Sequence, residues 1–136
     1  MGYVNIGGER VPIDKNLVPI IKTLNDKGYT TSGCCEGHWY PCFDRSDPYQ
    51  YTPVYIGFKN ALPPLGYIYN HLKDVGICRT YNTDRDFSKE GYDYLLVRPD
   101  INCIRFYLNN NPSDKWHKSR QKNKIIKLLQ GWANEV

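Results

Sequence analysis

The chain has 136 residues, a net charge of +4, 40% hydrophobic residues and 24% charged residues. This length suits one domain, which we expect to span residues 1–136 and to bury an apolar core without the help of disulfides or metal ions. No apolar run approaches the roughly 18–20 residues that a membrane-spanning helix needs, and the first residues lack the regions of a signal peptide. The composition therefore excludes a membrane protein and predicts a cytoplasmic one.

The cysteine content indicates the redox compartment of the protein, and the tyrosine content indicates the kind of surface it has. The five cysteines are odd in number and two of them, Cys34 and Cys35, are neighbours, which suits a reducing compartment better than a disulfide framework. Twelve tyrosines stand against a single methionine. Tyrosine in such excess is typical of ligand pockets and oligomer interfaces, and it is equally compatible with the packed face of a β-sheet.

The first third of the chain predicts a hairpin and a helix. Gly7-Gly8 between two short apolar runs supplies the positive φ angles of a hairpin turn. A stripe with helical spacing follows, made of Leu17, Ile20, Ile21 and Leu24. Asn16 is the predicted N-cap of this helix, because it places Pro19 in the first turn.

The remainder alternates strands, helices and loops. Strands are predicted at Val54–Phe58, at residues 77–81, and as a pair over residues 92–98 and 103–108; the loops cover residues 39–53 and 82–91. A second helix with Leu65, Ile68, Tyr69 and Leu72 on one face ends at Gly76, and the last helix runs over residues 114–132. We therefore expect an α+β domain with a mixed or antiparallel sheet of about five strands and three helices.

A stretch rich in reactive side chains follows the first helix. Residues 30–38 read Thr-Thr-Ser-Gly-Cys-Cys-Glu-Gly-His, and glycines bracket the two cysteines. Cys35, His38 and Cys42 have spacings that zinc ligands use. Adjacent cysteines point apart in an extended chain, and no second ligand pair completes a four-ligand site. We therefore predict no metal and no cofactor.

Three further interpretations of residues 30–38 remain open. A cysteine nucleophile would need His38 or His117 as its base, and no partner that would orient this histidine can be identified. Alternatively, the cysteines are small buried residues that end a strand. A binding loop, in which Glu36 accepts a hydrogen bond from a ligand and His38 donates one, accounts for the two polar residues as well. We predict a binding protein without catalytic residues.

The last helix concentrates positive charge. Between residues 115 and 127 it carries six lysines and arginines and no acidic residue. Such a concentration favours a phosphate-bearing partner, although a solvated helix face would look the same. Arg120 and Lys124 are four residues apart, so a single phosphate could contact both.

Three segments together resemble a family of phage proteins. Residues 24–29 (Leu-Asn-Asp-Lys-Gly-Tyr), residues 34–38 (Cys-Cys-Glu-Gly-His) and residues 55–58 (Tyr-Ile-Gly-Phe) are similar to pieces of the first type of Thoeris anti-defence proteins. The resemblance covers about the first 60 residues. It implies a non-enzymatic protein of the host bacterial cytosol that forms dimers or higher oligomers. Such a protein would sequester a cyclic ADP-ribose isomer made by bacterial TIR enzymes, and some members also hold cyclic oligonucleotides.

The same resemblance implies roles for particular residues. An aromatic ring stacking on adenine would be Tyr92 or Phe106, an amide reading polar edges would be Asn102, and Arg120 with Lys124 would contact phosphates. Residues 34–38 also resemble the Ser-Cys-Ser-Gly-Arg segment of wybutosine-synthesis proteins that act on tRNA. The chain departs from that segment at Glu36 and His38. The alternative is therefore an RNA-binding or tRNA-modifying protein that uses the basic last helix.

Overall fold

The computed structural model describes residues 2–37, 53–84, 92–108 and 115–136, with side chains of the last helix from Ser119 onward. Its strands are β1 Gly2–Ile6, β2 Glu9–Ile13, β3 Thr31–Glu36, β4 Val54–Phe58, β5 Thr80–Asn82, β6 Tyr94–Arg98 and β7 Cys103–Tyr107. Its helices are α1 Val18–Asp26, α2 Gly66–His71 and α3 Lys115–Glu135, with 3₁₀ turns at Lys15–Leu17 and Leu72–Val75.

The predicted α+β class is confirmed. Strands β1 and β2 pair as a separate hairpin, and Gly7 and Gly8 have φ angles of 60° and 85°, as the predicted turn requires. The main sheet has five strands in the order β3-β4-β7-β6-β5. Its neighbouring strands are antiparallel except β5 and β6, which are parallel, so the sheet is mixed.

The strand directions define two ends of the main sheet. Register places Glu36 beside Val54 and Tyr94 beside Tyr107, so these residues meet at one end, which we call the Tyr94 end. Asn102 lies in the turn between β6 and β7, at the opposite end. Helix α3 runs from the first end to the second, because its first half contacts Glu36 and its last turns pack on Phe58.

The helices pack on one face of the sheet and form the core. Ile104 and Phe106 of β7 point into this core, and neither has exposed surface. The predicted apolar stripe of α3 is confirmed by the burial of Ile125, Leu128, Leu129 and Trp132. Burying each such side chain contributes about 1.5–3 kcal/mol relative to leaving it in water.

The opposite face of the sheet carries a cluster of tyrosines. The rings of Tyr94 and Tyr107 stack at a centroid distance of 4.9 Å, and Tyr81 meets Tyr94 edge to face at 5.6 Å. Tyr92 approaches Tyr94 at 6.0 Å. Aromatic pairs in these arrangements contribute about 0.5–1.5 kcal/mol each beyond their buried area. The cluster therefore connects β5, β6 and β7 at the Tyr94 end of the sheet.

Three local predictions were wrong. Helix α1 begins at Val18 with Leu17 as its N-cap, and the predicted cap Asn16 lies in the preceding 3₁₀ turn without a side-chain capping bond. Tyr69 is 43% exposed, so it is not part of the buried face of α2. The strand predicted at residues 77–81 begins only at Thr80. The preceding 3₁₀ turn ends at Gly76 in a left-handed conformation, and the chain becomes a strand four residues later.

Candidate ligand-binding cleft

A cleft of ≈ 370 Å³ opens at the Tyr94 end, between the entrance to β5, the entrance to β6 and the first half of α3. Its lining consists of Val75, Gly76, Cys78, Arg79, Tyr92, Asp93, Gln121 and Lys124. Gly76 has a φ of 73°, a conformation that glycine adopts without steric cost, and this allows the chain to turn beneath α3. The cleft therefore combines an aromatic ring with two cations.

Arg79 and Tyr92 form one wall of the cleft. The guanidinium carbon of Arg79 lies 4.0 Å from the ring centroid of Tyr92, and the Tyr92 hydroxyl is 2.8 Å from the Tyr81 hydroxyl. The phenol oxygens of Tyr81 and Tyr92 raise the pKa of the Arg79 guanidinium, because they stabilise its charge. Arg79 is exposed, so this permanent charge is available to a ligand.

The phenol of Tyr92 is held in its neutral form. Its hydrogen bond with Tyr81, followed by partial burial, raises the pKa of Tyr92 above its usual value of 10.0. A neutral phenol does not repel an anion. Arg79 covers one face of the Tyr92 ring, and the Tyr94 ring lies at a centroid distance of 6.0 Å from it.

Helix α3 supplies the opposite wall. Lys124 is exposed, and Gln121, one turn earlier, is buried at the inner end with 5% of its surface exposed. The side-chain Nε2 of Gln121 donates to the carbonyl oxygen of Val75, which joins α3 to the 3₁₀ turn before β5. Asp93 is the only acidic group among the described lining residues, so the cations outnumber it.

Some predicted site residues come together here. Tyr92 and Lys124 both line the cleft. Arg120 is exposed one turn before Lys124 on the same helix. The structure thus places an aromatic ring and a lysine of the basic helix in one cleft, and whether they bind a ligand remains a prediction.

Glu36 lies at the same end of the sheet but at the other edge. Its Oε2 accepts a hydrogen bond from the backbone N–H of Asn16 at 3.1 Å, and its Oε1 lies 3.7 Å from Nζ of Lys122. Strand β3 is separated from β6 by two strands, or roughly 14 Å at the usual strand spacing. Glu36 thus holds β3 to α3 and does not line the cleft, and His38 lies outside the described residues.

Two other predicted residues lie away from the cleft. Phe106 has no exposed surface, so in this conformation its ring cannot stack on a ligand. The alternation of β7 explains this, because Phe106 shares the core face with Ile104. Asn102 has a φ of 51° and its carbonyl oxygen accepts from the N–H of Phe58, so it stabilises the turn at the far end of β6, a five-residue strand spanning roughly 15 Å.

The cysteines of residues 30–38 belong to strand β3. Burial, the nearby Asp14 carboxylate and the thiol of Cys35 raise the pKa of the Cys34 thiol to about 12. A thiol with such a pKa is almost fully protonated at neutral pH and is a poor nucleophile. Within the described ranges no three histidine, cysteine or acidic side chains cluster as metal ligands, and Cys42 lies outside those ranges.

Arg79 and Gln121 line the cleft although neither was predicted from the sequence. The signal for Arg79 was its two-residue spacing from Tyr81, which places both side chains on one face of an extended chain. Gln121 stood among lysines and arginines without a distinguishing pattern. Both residues reach the cleft that Tyr92 lines only through long-range packing, which the periodicity of a single sequence does not report.

A second cavity is smaller, and none of the lining residues that the structure describes is aromatic. It has a volume of ≈ 130 Å³ and lies between the β1–β2 hairpin and β3, where Glu9 and Lys59 are its charged residues. A ligand pocket usually has a volume of about 300–1,000 Å³. The cleft at Arg79 and Lys124 therefore fits a small molecule better.

The chain is a small α+β protein with a cleft that brings two cationic side chains and an aromatic ring together. Comparison with protein-family models, with curated proteins and with solved structures finds no protein similar to this chain. In the described part of the chain, every helix is too short or too polar to cross a lipid bilayer.

Proposed function

We propose that this protein is a non-enzymatic binding protein that sequesters a small, nucleotide-derived phosphate ligand in the cleft. The observation that carries the proposal is the meeting of Arg79, Tyr92 and Lys124 in one concave site of ≈ 370 Å³. A guanidinium and an ammonium on two walls suit a phosphate, and an aromatic face beside them suits a nucleobase.

The energetics are consistent with a ligand of that kind. Stacking of a base on an aromatic ring contributes about 1–3 kcal/mol, and a hydrogen bond to a charged group contributes about 1.5–3 kcal/mol. These contributions must exceed the cost of association, so tight binding requires a preformed site. The Arg79–Tyr92 stack and the Gln121–Val75 hydrogen bond hold the two walls of the cleft in place before any ligand arrives.

The biological role rests on the resemblance of residues 24–29, 34–38 and 55–58 to Thoeris anti-defence proteins. On that basis the ligand is an immune signal such as a cyclic ADP-ribose isomer, with cyclic oligonucleotides as a further class. The protein would then act in the cytosol of the host bacterium as a phage counter-defence protein. It would also form dimers or higher oligomers, in line with the tyrosine-rich composition.

The decisive experiment separates sequestration from turnover. The purified protein is mixed with cyclic ADP-ribose isomers, binding is followed by calorimetry, and the protein is then denatured by heat to release what it holds. Recovery of intact ligand in stoichiometric amount supports a sequestering protein. Recovery of cleaved product would contradict the proposal and indicate an enzyme.

A second candidate function is RNA binding, which one observation favours. Arg120, Lys124 and Lys127 are all exposed and follow each other at i, i+4 and i+7, so they form a basic stripe along α3. Ionic strength distinguishes the candidates, because a protein that contacts many phosphates loses affinity steeply as salt rises. Micromolar binding of tRNA at physiological salt, without binding of cyclic nucleotides, would favour the RNA function.

A further inference from the structure

The most buried polar side chain of the cleft is Gln121, which is 5% exposed. Its Nε2 donates to the carbonyl oxygen of Val75 and lies above Gly76, where a Cβ would come within 3.6 Å of it. Gln121 thus belongs to the inner end of the cleft. The side chains of Arg79 and Lys124 are exposed and stand at the mouth.

The Val75 carbonyl determines which way the Gln121 amide points. A carbonyl oxygen only accepts hydrogen bonds, so the NH₂ group of the amide must face it and the carbonyl group of the side chain must point elsewhere. Among the residues that the structure describes, Oε1 of Gln121 has no hydrogen-bond partner. A buried amide oxygen without a donor is unfavourable, and such atoms in folded proteins call for an explanation.

We propose that Oε1 of Gln121 accepts a hydrogen bond from an amino group on the ligand's base, and that Gln121 thereby determines which base the cleft selects. This inference rests on the proposed function. It orients the ligand with the base at the inner end beside Gln121 and the phosphate at the mouth between Arg79 and Lys124. The ligand class is a nucleotide whose base carries an exocyclic amine.

The chemistry of Oε1 predicts a clear order of preference. An exocyclic amine donates to Oε1, a hydrogen at the same ring position leaves Oε1 unpaired, and a carbonyl oxygen there repels it. Adenosine monophosphate should therefore bind at least about tenfold more tightly than purine riboside 5′-monophosphate, which lacks only the amine. Inosine monophosphate, with a carbonyl at that position, should bind no better than the latter.

The test measures these three nucleotides and ribose 5-phosphate by calorimetry on the wild-type protein and on Gln121→Met. Methionine keeps the length of the side chain but removes both the acceptor and the Nε2 donor to Val75, so preferences are compared within each protein. In Gln121→Met we expect the tenfold preference for the amine to disappear, while ribose 5-phosphate, which has no base, measures any loss caused by the missing Val75 hydrogen bond. An unchanged preference in folded Gln121→Met overturns the inference.

Three further outcomes distinguish failure of this inference from failure of the proposed function. If Gln121→Met does not fold, the wild-type series decides, because equal affinity for the amine-bearing and amine-lacking nucleotides overturns the role of Gln121. If both nucleotides bind equally and Arg79→Ala weakens both, the inference fails while the proposed cleft stands. If none of the four compounds binds in a manner that depends on Arg79, the proposed function fails and the inference fails with it.

Discussion

Arg79 and Tyr92 form a cation–π pair, with the guanidinium carbon 4.0 Å from the ring centroid. The two residues belong to segments that enter neighbouring parallel strands, so the pair is created by the β5–β6 register. Such a contact at an exposed site contributes about 0.5–1 kcal/mol. Its greater effect is to orient both groups, since each restricts the other before a ligand arrives.

The ring of Tyr92 should matter more than its hydroxyl. Tyr92→Ala removes the stacking face and the support for Arg79, so we expect affinity for an adenine nucleotide to fall about tenfold or more. Tyr92→Phe keeps the ring and loses the hydroxyl, which bonds to the Tyr81 hydroxyl and stabilises the Arg79 charge. Calorimetry should find Tyr92→Phe within a few-fold of the wild type. Equal losses in both variants would argue that the hydroxyl, not the ring, contacts the ligand.

Removing a lysine of α3 should weaken ligand binding only where that lysine lines the cleft. Lys124 lines the cleft, whereas Lys127 is an exposed lysine of the same helix outside the described lining. Lys124→Ala should weaken binding of a nucleotide monophosphate about tenfold, and Lys127→Ala should change it less than about twofold. Both should alter the free energy of unfolding by no more than about 0.5 kcal/mol. Comparable losses in the two variants would favour the basic stripe and the RNA function.

Much of the fold follows from local patterns that the sequence displays. The spacing of Leu17, Ile20, Ile21 and Leu24 predicted α1, and all four side chains are fully buried. The predictions of local structure were wrong where contacts distant in sequence outweighed the local sequence pattern. Asn16 resembles an N-cap, yet its backbone N–H bonds to Glu36, twenty residues away, and its side chain makes no capping bond.

The site was only partly predictable for the same reason. Tyr92 and Lys124 were selected by residue type and order, and the structure brings them into one cleft. Asn102 and Phe106 suited the same roles chemically, but a positive φ angle in a turn and the core face of β7 place them elsewhere. Arg79 was missed because its partner Tyr92 is thirteen residues away across a parallel strand pair.

Lys27 should stabilise the contact between α1 and α3. Its Nζ donates to the carbonyl oxygens of Ala133 at 2.8 Å, Asn134 at 2.6 Å and Val136 at 2.8 Å, so a single ammonium covers the C-terminal end of α3. A cation in that position contributes about 1–2 kcal/mol. Lys27→Met should lower the free energy of unfolding in urea by that amount.

The control for Lys27 lies on the same helix. Lys22 is exposed, and Lys22→Met removes the same charge without reaching α3. We expect it to change stability by less than about 0.5 kcal/mol. If the two methionine variants unfold at the same urea concentration, the cap on α3 adds nothing measurable.

Alkaline pH should destabilise the fold through Cys34. Burial raises the pKa of its thiol from 9.0 to about 12, so the folded state keeps the proton that the unfolded state loses. Stability from this group is therefore present below pH 9 and declines as pH rises towards 12. Cys34→Ser removes the titrating thiol, so urea unfolding should show a shallower alkaline decline than in the wild type. Parallel declines would show that ionisation of Cys34 is not the cause.

In the proposed function, Arg79 and Lys124 together hold a phosphate in this cleft. The most direct test is calorimetric titration of a cyclic ADP-ribose isomer into the wild type and into an Arg79→Ala, Lys124→Ala double variant that retains the wild-type unfolding midpoint. Two charge-assisted contacts correspond to a loss of roughly a hundredfold or more in affinity. We predict saturable binding by the wild type and that loss in the double variant. Equal affinity in both proteins would contradict the account.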